Sequence, residues 1–161
     1  MTLLMLGFTT VSLTSCTKDE EEVKKEEPKV DVREQSIGSY KGEFNLFQAD
    51  DTSVVVSTWS EDFEVKKDPN NATAIDFIMD GEPGIKGVKV AEASNGFSFD
   101  ILKQTIEVDG QSYEIEGVDM IDLDGVKYHG AYHSGDKEIG AAMTITLNGE
   151  DLFLIFYGEK K

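Results

Sequence analysis

The sequence predicts an all-β fold, an antiparallel up-and-down meander of about eight to ten strands closing into a small β-barrel or a two-layer sandwich. Three observations predict it. From residue 37 onward apolar residues recur with period two, as in half-buried strands. Turn residues recur roughly every 8–15 positions between them. Nine Phe, five Tyr and one Trp within an apolar fraction of 39% supply one packed core, and 161 residues leave room for one domain of ordinary size.

Residues 1–15 carry no charge and hold an apolar stretch around Leu3, Leu4, Met5, Leu6 and Phe8. The stretch is too short to span a bilayer and suits the core of a signal peptide. It runs into Leu13-Thr14-Ser15-Cys16, a branched apolar residue and two small ones before the only cysteine in the chain. This resembles the lipobox of bacterial lipoproteins, which implies cleavage before Cys16 and a thioether lipid on its sulfur. A lone cysteine forms no internal disulfide, so lipidation would consume the thiol. No Lys or Arg precedes the apolar core, a departure from the usual signal pattern. The next residues, with Lys18, Asp19 and Glu20 in Thr17-Lys18-Asp19-Glu20-Glu21-Glu22, resemble the export signal of Bacteroidota surface lipoproteins. That likeness implies an outer-membrane protein displayed on the cell surface, with the periplasmic face of the outer membrane as the alternative.

Residues 16–36 are rich in Glu and Lys, contain Pro28 and offer almost nothing to pack, so they read as a charged tether. Glu20 with Lys24 and Glu21 with Lys25 have helical spacing, but Pro28 stops any turn they support. The division is therefore a signal peptide at 1–15, a lipidated tether at 16–36 and a single β domain at 37–161.

Within that domain the turns are Asp50-Asp51, Asp68-Pro69-Asn70-Asn71, Asp80-Gly81, Asn95-Gly96, Asp109-Gly110, Asp124-Gly125, Ser134-Gly135 and Asn148-Gly149. Their Gly, Asn and Asp residues tolerate the positive φ of tight hairpins. Tyr40, Gly42, Phe44 and Leu46 fall on one face of the first strand, Ile75, Phe77 and Met79 on one face of another, and Phe97, Phe99 and Ile101 on a third. The stretch around Ser60-Glu61-Asp62 has the cap of a short helix. A strand is favoured there, because Val55, Trp59, Phe63 and Val65 share one side of an extended chain. Val126, Tyr128 and Tyr132 oppose Lys127, His129 and His133 on a single later strand. Ala141, Met143, Ile145 and Leu147 oppose Thr144 and Thr146. Leu152 to Tyr157 is apolar on both faces, as expected of a strand covered on both sides.

The opening Gly38-Ser39-Tyr40, the nearby Gly42, the hairpins and the closing Phe156-Tyr157-Gly158-Glu159-Lys160 together resemble small calycin-like, or lipocalin-like, β-barrel lipoproteins. Tyr40 stands where that pattern has Trp. The likeness implies the barrel fold.

A net charge of −17, from 15 Lys and Arg against 32 Asp and Glu, excludes most nucleic-acid roles, because phosphate backbones are bound by basic side chains. His129 and His133 would clamp a metal on a helix, but on a strand they lie roughly 13 Å apart and read as solvated surface residues. Asp119, Asp122, Asp124 and Gly125 resemble half a calcium loop without its closing Glu. No nucleophile elbow, phosphate loop or dinucleotide fingerprint occurs, so no enzyme, cofactor or metal is expected. Two functions of different class remain. One is a binding module for a small apolar or glycan ligand, with Trp59, Tyr128 and Tyr132 as candidate lining residues. The other is a non-catalytic structural or interaction lipoprotein that contacts an envelope or host protein. Its membrane contact would be the N-terminal lipid anchor.

Overall fold

The structure, a computed structural model, describes residues 30–80 and 82–161. The expected signal peptide, Cys16, Lys18, Asp19 and Glu20 lie outside the described residues.

Alternating apolar side chains build five successive strands: β1 (Gly38–Gln48), β2 (Val55–Lys67), β3 (Ala74–Met79), β4 (Glu82–Ala93) and β5 (Gly96–Asp100). Four short strands follow, β6 (Gln104–Val108), β7 (Gln111–Gly117), β8 (Ile121–Leu123) and β9 (Val126–Tyr128). Then β10 (Gly130–His133), β11 (Glu138–Leu147) and β12 (Glu150–Lys160) complete the chain. The main sheet runs β10-β5-β4-β3-β2-β1-β12-β11-β7-β6, and β10 also pairs with β11, so eight of its strands close into a ring. The expected all-β antiparallel meander is what forms. Closure gives each of those eight strands a neighbour on both sides, although β2 before Phe63 and β4 before Lys89 keep one side unpaired.

Among the described residues twelve strands form where eight to ten were expected. Part of the excess comes from Val126–His133, expected as one strand, which breaks at His129 into β9 and β10. The stretch with the helix-like cap at Ser60 is extended throughout, inside β2. Three hairpin turns carry positive φ at both central residues, Asp109-Gly110, Asp124-Gly125 and Asn148-Gly149. That is the turn whose twist matches the flanking strands.

Inside the ring the aromatics interlock. Tyr40 and Phe63 stack at 5.2 Å and 6°, and Phe63 meets Phe156 edge-on at 5.6 Å. Gly42 and Gly158 are register partners across β1 and β12, and a Cβ on either would press into the Phe63 ring. The two glycines thus make the hollow that Phe63 fills. Each fully buried Phe contributes roughly 1.5–3 kcal/mol, and Phe44, Phe63, Phe77, Phe97, Phe99 and Phe156 are all buried here.

A second apolar layer lies on the outer wall. The β8–β9 hairpin lays Ile121 and Leu123 over Ala131, Ala142 and Phe153. This accounts for the two-faced run near the C-terminus, with Leu154 and Phe156 in the ring's core and Phe153 under the hairpin.

Residues 31–36, expected as the last part of the tether, belong to the folded body. Asp31 caps a 3-10 turn, Val32–Gln35, by accepting a hydrogen bond from the Arg33 N–H. The Arg33 side chain is buried and donates to the carbonyls of Asn71 at 3.2 Å and Ala74 at 3.1 Å. Tyr40 donates its hydroxyl to the Ser36 carbonyl at 2.6 Å, and Lys160 Nζ donates to the Gln35 carbonyl at 2.8 Å. Every one of those partners apart from Tyr40 is more than thirty residues away, which is why a charged stretch with little apolar content read as linker. The turn closes one end of the ring.

Candidate functional site at the open end

The opposite end is not closed in the same way. Only Phe63–Lys67 of β2 pairs with β3, so Val55–Asp62 rises beyond the β3–β4 turn and its inner face is uncovered. Trp59 lies there, 37% exposed, with one ring face stacked on Phe44 at 5.2 Å and 8°. Its indole N–H donates to Glu61 Oε2 at 3.3 Å. Val55 and Val108 are exposed, while Leu46, Met79, Ile106 and Ile145 are half-buried against the core. A β-bulge pairs Val55 with Phe47 and so turns it to the outer face, away from Trp59, Phe63 and Val65, with which simple alternation aligns it. The inward-facing residues that meet solvent at this end are Trp59 and Val108, above a core filled with rings.

The three candidate lining residues do not meet. Trp59 is at the open end. Tyr132 is buried and stacks on Phe97 at 5.3 Å, where burial pushes its phenol up from the ordinary value. Tyr128 lies outside the ring, half-buried against the cluster beneath the β8–β9 hairpin.

His129 differs from the expected surface residue. It sits at the bend between β9 and β10, 24% exposed, with its ring where a Cβ on Gly117 would be. Nδ1 accepts a hydrogen bond from the Ile101 N–H at 3.1 Å, and Nε2 lies 3.5 Å from Asp119 Oδ1. The imidazole stands in for a main-chain acceptor where the wall forks. There β11 leaves β10 after Ala141 and takes up β7 from Met143, while Ala142 donates to the His129 carbonyl and accepts from Val118 N–H. No local pattern announces this role, because Gly117 and Ile101 are distant in sequence.

The aspartates of the calcium-like run serve three separate contacts. Asp119 faces His129. Asp122 accepts from the Gly125 N–H at 3.1 Å. Asp124 accepts from Ser94 at 2.6 Å and Asn95 at 2.5 Å, and those bonds, with His133 contributing less, hold its carboxyl below the usual range. Among the described residues no group of three His, Cys, Asp or Glu is arranged to hold a metal ion.

Beside the open end, β4 and β6 face each other without pairing. Between Gly84 and Lys86 on one side and Gln104 to Glu107 on the other lies an open groove of about 560 Å³. The Gln104 side chain bridges it: Oε1 accepts from the Lys86 N–H at 3.0 Å and Nε2 donates to the Lys86 carbonyl at 3.2 Å. A smaller groove of about 290 Å³ on the outer wall is crossed by an ion pair between Lys103 and Glu114 at 2.6 Å.

These features offer apolar contact, aromatic stacking and strand-edge hydrogen bonding. Comparison with known protein families, with curated proteins and with solved structures finds no match to this chain.

Proposed function

We propose that this chain is a lipid-anchored outer-membrane lipoprotein, displayed on the cell surface, whose calycin-like β domain binds a small apolar or glycan ligand at the open end of its ring. One observation carries the reading: the two ends are unequal. The Arg33 turn and the aromatic core fill one end, whereas the other leaves the inward-facing Trp59 and Val108 exposed to solvent. The filled core makes the ligand a guest of the mouth, with its body against apolar side chains or a sugar face against the indole.

The lipid anchor on Cys16 and the export residues Lys18, Asp19 and Glu20 fit this geometry. The chain enters the domain at the closed end, so a tether from the membrane holds the mouth on the far side. The binding reading needs no catalytic residue and no cofactor.

Trp59 is the only tryptophan in the chain, which makes its fluorescence a site-specific reporter. Titration with hexadecanoic acid and with a soluble glucan hexasaccharide should give a saturable emission change with one of them. Val108→Asp should weaken that binding about tenfold or more. Silence with both probes, together with native mass spectra of envelope-purified protein free of bound ligand, would overturn the reading. The anchor has its own test. Cys16→Ala should abolish lipid labelling, and Ala at Lys18, Asp19 and Glu20 should remove surface protease accessibility; unchanged accessibility would sink the display claim. The second reading, a structural or interaction lipoprotein, is favoured by the unpaired strand edges at the β4–β6 groove.

A further inference from the structure

The geometry points to the β4–β6 seam as a strand-addition site that takes an extended, basic segment of a partner polypeptide. This goes beyond ligand binding at the mouth: the seam is in the wall, and filling it does not require a ligand beside Trp59.

Three observations carry the argument. First, among the described residues β6 is the last strand of the sheet, paired only with β7, so no described strand partners the main-chain groups on its other side. Across the groove β4 pairs with β5 only from Lys89 onward, which leaves the edge at Gly84 and Lys86 free of strand neighbours. Unpaired edges of this kind template the addition of a strand.

Second, the edge of β4 is already satisfied by an imitation of a strand. The Gln104 carboxamide gives Lys86 one acceptor and one donor, the two bonds that a residue of a neighbouring strand would give. Side-chain amides and main-chain amides are chemically alike, so a peptide can take over the same N–H and C=O once Gln104 rotates away. Gly84, the extra residue where the β3–β4 register shifts, lines the same groove. A bulge at Gly87, with φ +64 and its N–H given to Asp76 Oδ1 at 2.8 Å, marks where β4 turns from this open edge to its pairing with β5.

Third, size and charge choose the occupant. The groove volume lies within the roughly 300–1,000 Å³ of ordinary binding clefts, and Gln104 to Glu107 span roughly 10 Å at strand rise, enough for about four residues of one extended chain. Glu107 and Asp109 stand at the β6 end of the groove, in a domain of strongly acidic composition. A strand running antiparallel to β6 would bring its N-terminal residue there, and a Lys or Arg at that position is the complement.

The probe is a blocked hexapeptide, acetyl-Lys-Thr-Val-Thr-Val-Thr-amide, added to the full chain while main-chain hydrogen exchange is followed. Exchange at Thr105 to Val108 should slow by about tenfold at saturation. The same peptide with alternate main-chain nitrogens methylated keeps its side chains but loses its donors, and it should not bind. Gln104→Ala removes the internal competitor and should tighten binding several-fold, whereas Glu107→Lys should weaken it. Equal binding of the methylated peptide, or no protection at millimolar peptide, overturns the proposal. Protection of the same residues on concentrating the protein alone would assign the edge to a second copy, and that result also overturns it. Since Trp59 is not in the groove, unchanged emission during this titration separates failure here from failure at the mouth.

Discussion

At Asp31 and Arg33, a carboxylate and a guanidinium fix where the folded body begins. Arg33 is 7% exposed, and a buried charge persists only when its donors are used. Two of its bonds go to carbonyls and others to Asp31, with the guanidinium nitrogen 2.7 Å from Asp31 Oδ2. The Arg33 hydrogen bond, joined by one from Lys67, outweighs partial burial and holds the Asp31 carboxyl well below the usual carboxylate range. A carboxyl whose folded pKa is depressed adds stability above its unfolded value of about 3.9, and that stability drains away as pH falls below it. Asp31→Asn keeps the capping oxygen and removes the charge. The variant should therefore melt below wild type at pH 6 and converge toward it by pH 2.5, as thermal melts followed by circular dichroism will show. A constant gap between the two curves would mean that the charge of Asp31 contributes nothing.

Among the elements, β10 has the greatest consequence for its size. Its four residues pair with β5 on one side and β11 on the other, and without them the ring does not close. Closure depends on Gly130, where a Cβ would overlap the Phe99 ring and sit 2.7 Å from the Gly140 carbonyl. Gly130→Ala should cost about 3 kcal/mol, at the upper end of overpacking. Gly110→Ala meets open space and pays only for φ +75, about 1 kcal/mol. Urea midpoints at unchanged slope will rank the two, and equal losses would refute the role given to β10. The same strand shows where sequence ceased to be informative. Asp109-Gly110, Asp124-Gly125 and Asn148-Gly149 were legible because each turn is decided by its own two residues. The alternation through Val126–His133 was legible too, yet any extended chain satisfies it. The bend at His129 is set by Gly117 and Ile101, contacts that no local pattern carries. Gln104 is hidden in the same way, since only the fold places it opposite Lys86.

For the whole molecule, the arrangement of the ends matters more than the strand count. Asp31 to Ser36 and Lys160 lie together at the closed end, with Lys160 Nζ on the Gln35 carbonyl and the Lys161 N–H on the Ser39 carbonyl. The excursion through residues 101–129 leaves the ring and returns to it, so β6 and β7 add a wall segment without interrupting the meander's pairing. The chain is thus a closed meander carrying a side structure, and its connectivity should tolerate rewiring at one place and not at another. A permutant joining Lys161 to Asp31 through about six Gly and Ser residues, with new termini between Asp109 and Gly110, opens a hairpin that has nothing near its glycine. It should fold and melt within a few degrees of the parent. Opening the chain between Asn95 and Gly96 instead cuts the β4–β5 turn at a glycine that sits against the Tyr132 main chain, beside the Asn95 carbonyl that accepts from both the N–H and the hydroxyl of Ser134. That permutant should lose the cooperative transition in circular dichroism. If both permutants fold alike, the ring is not the unit of stability, and the β6–β7 excursion is as much a part of the core as the strands that close around Phe63.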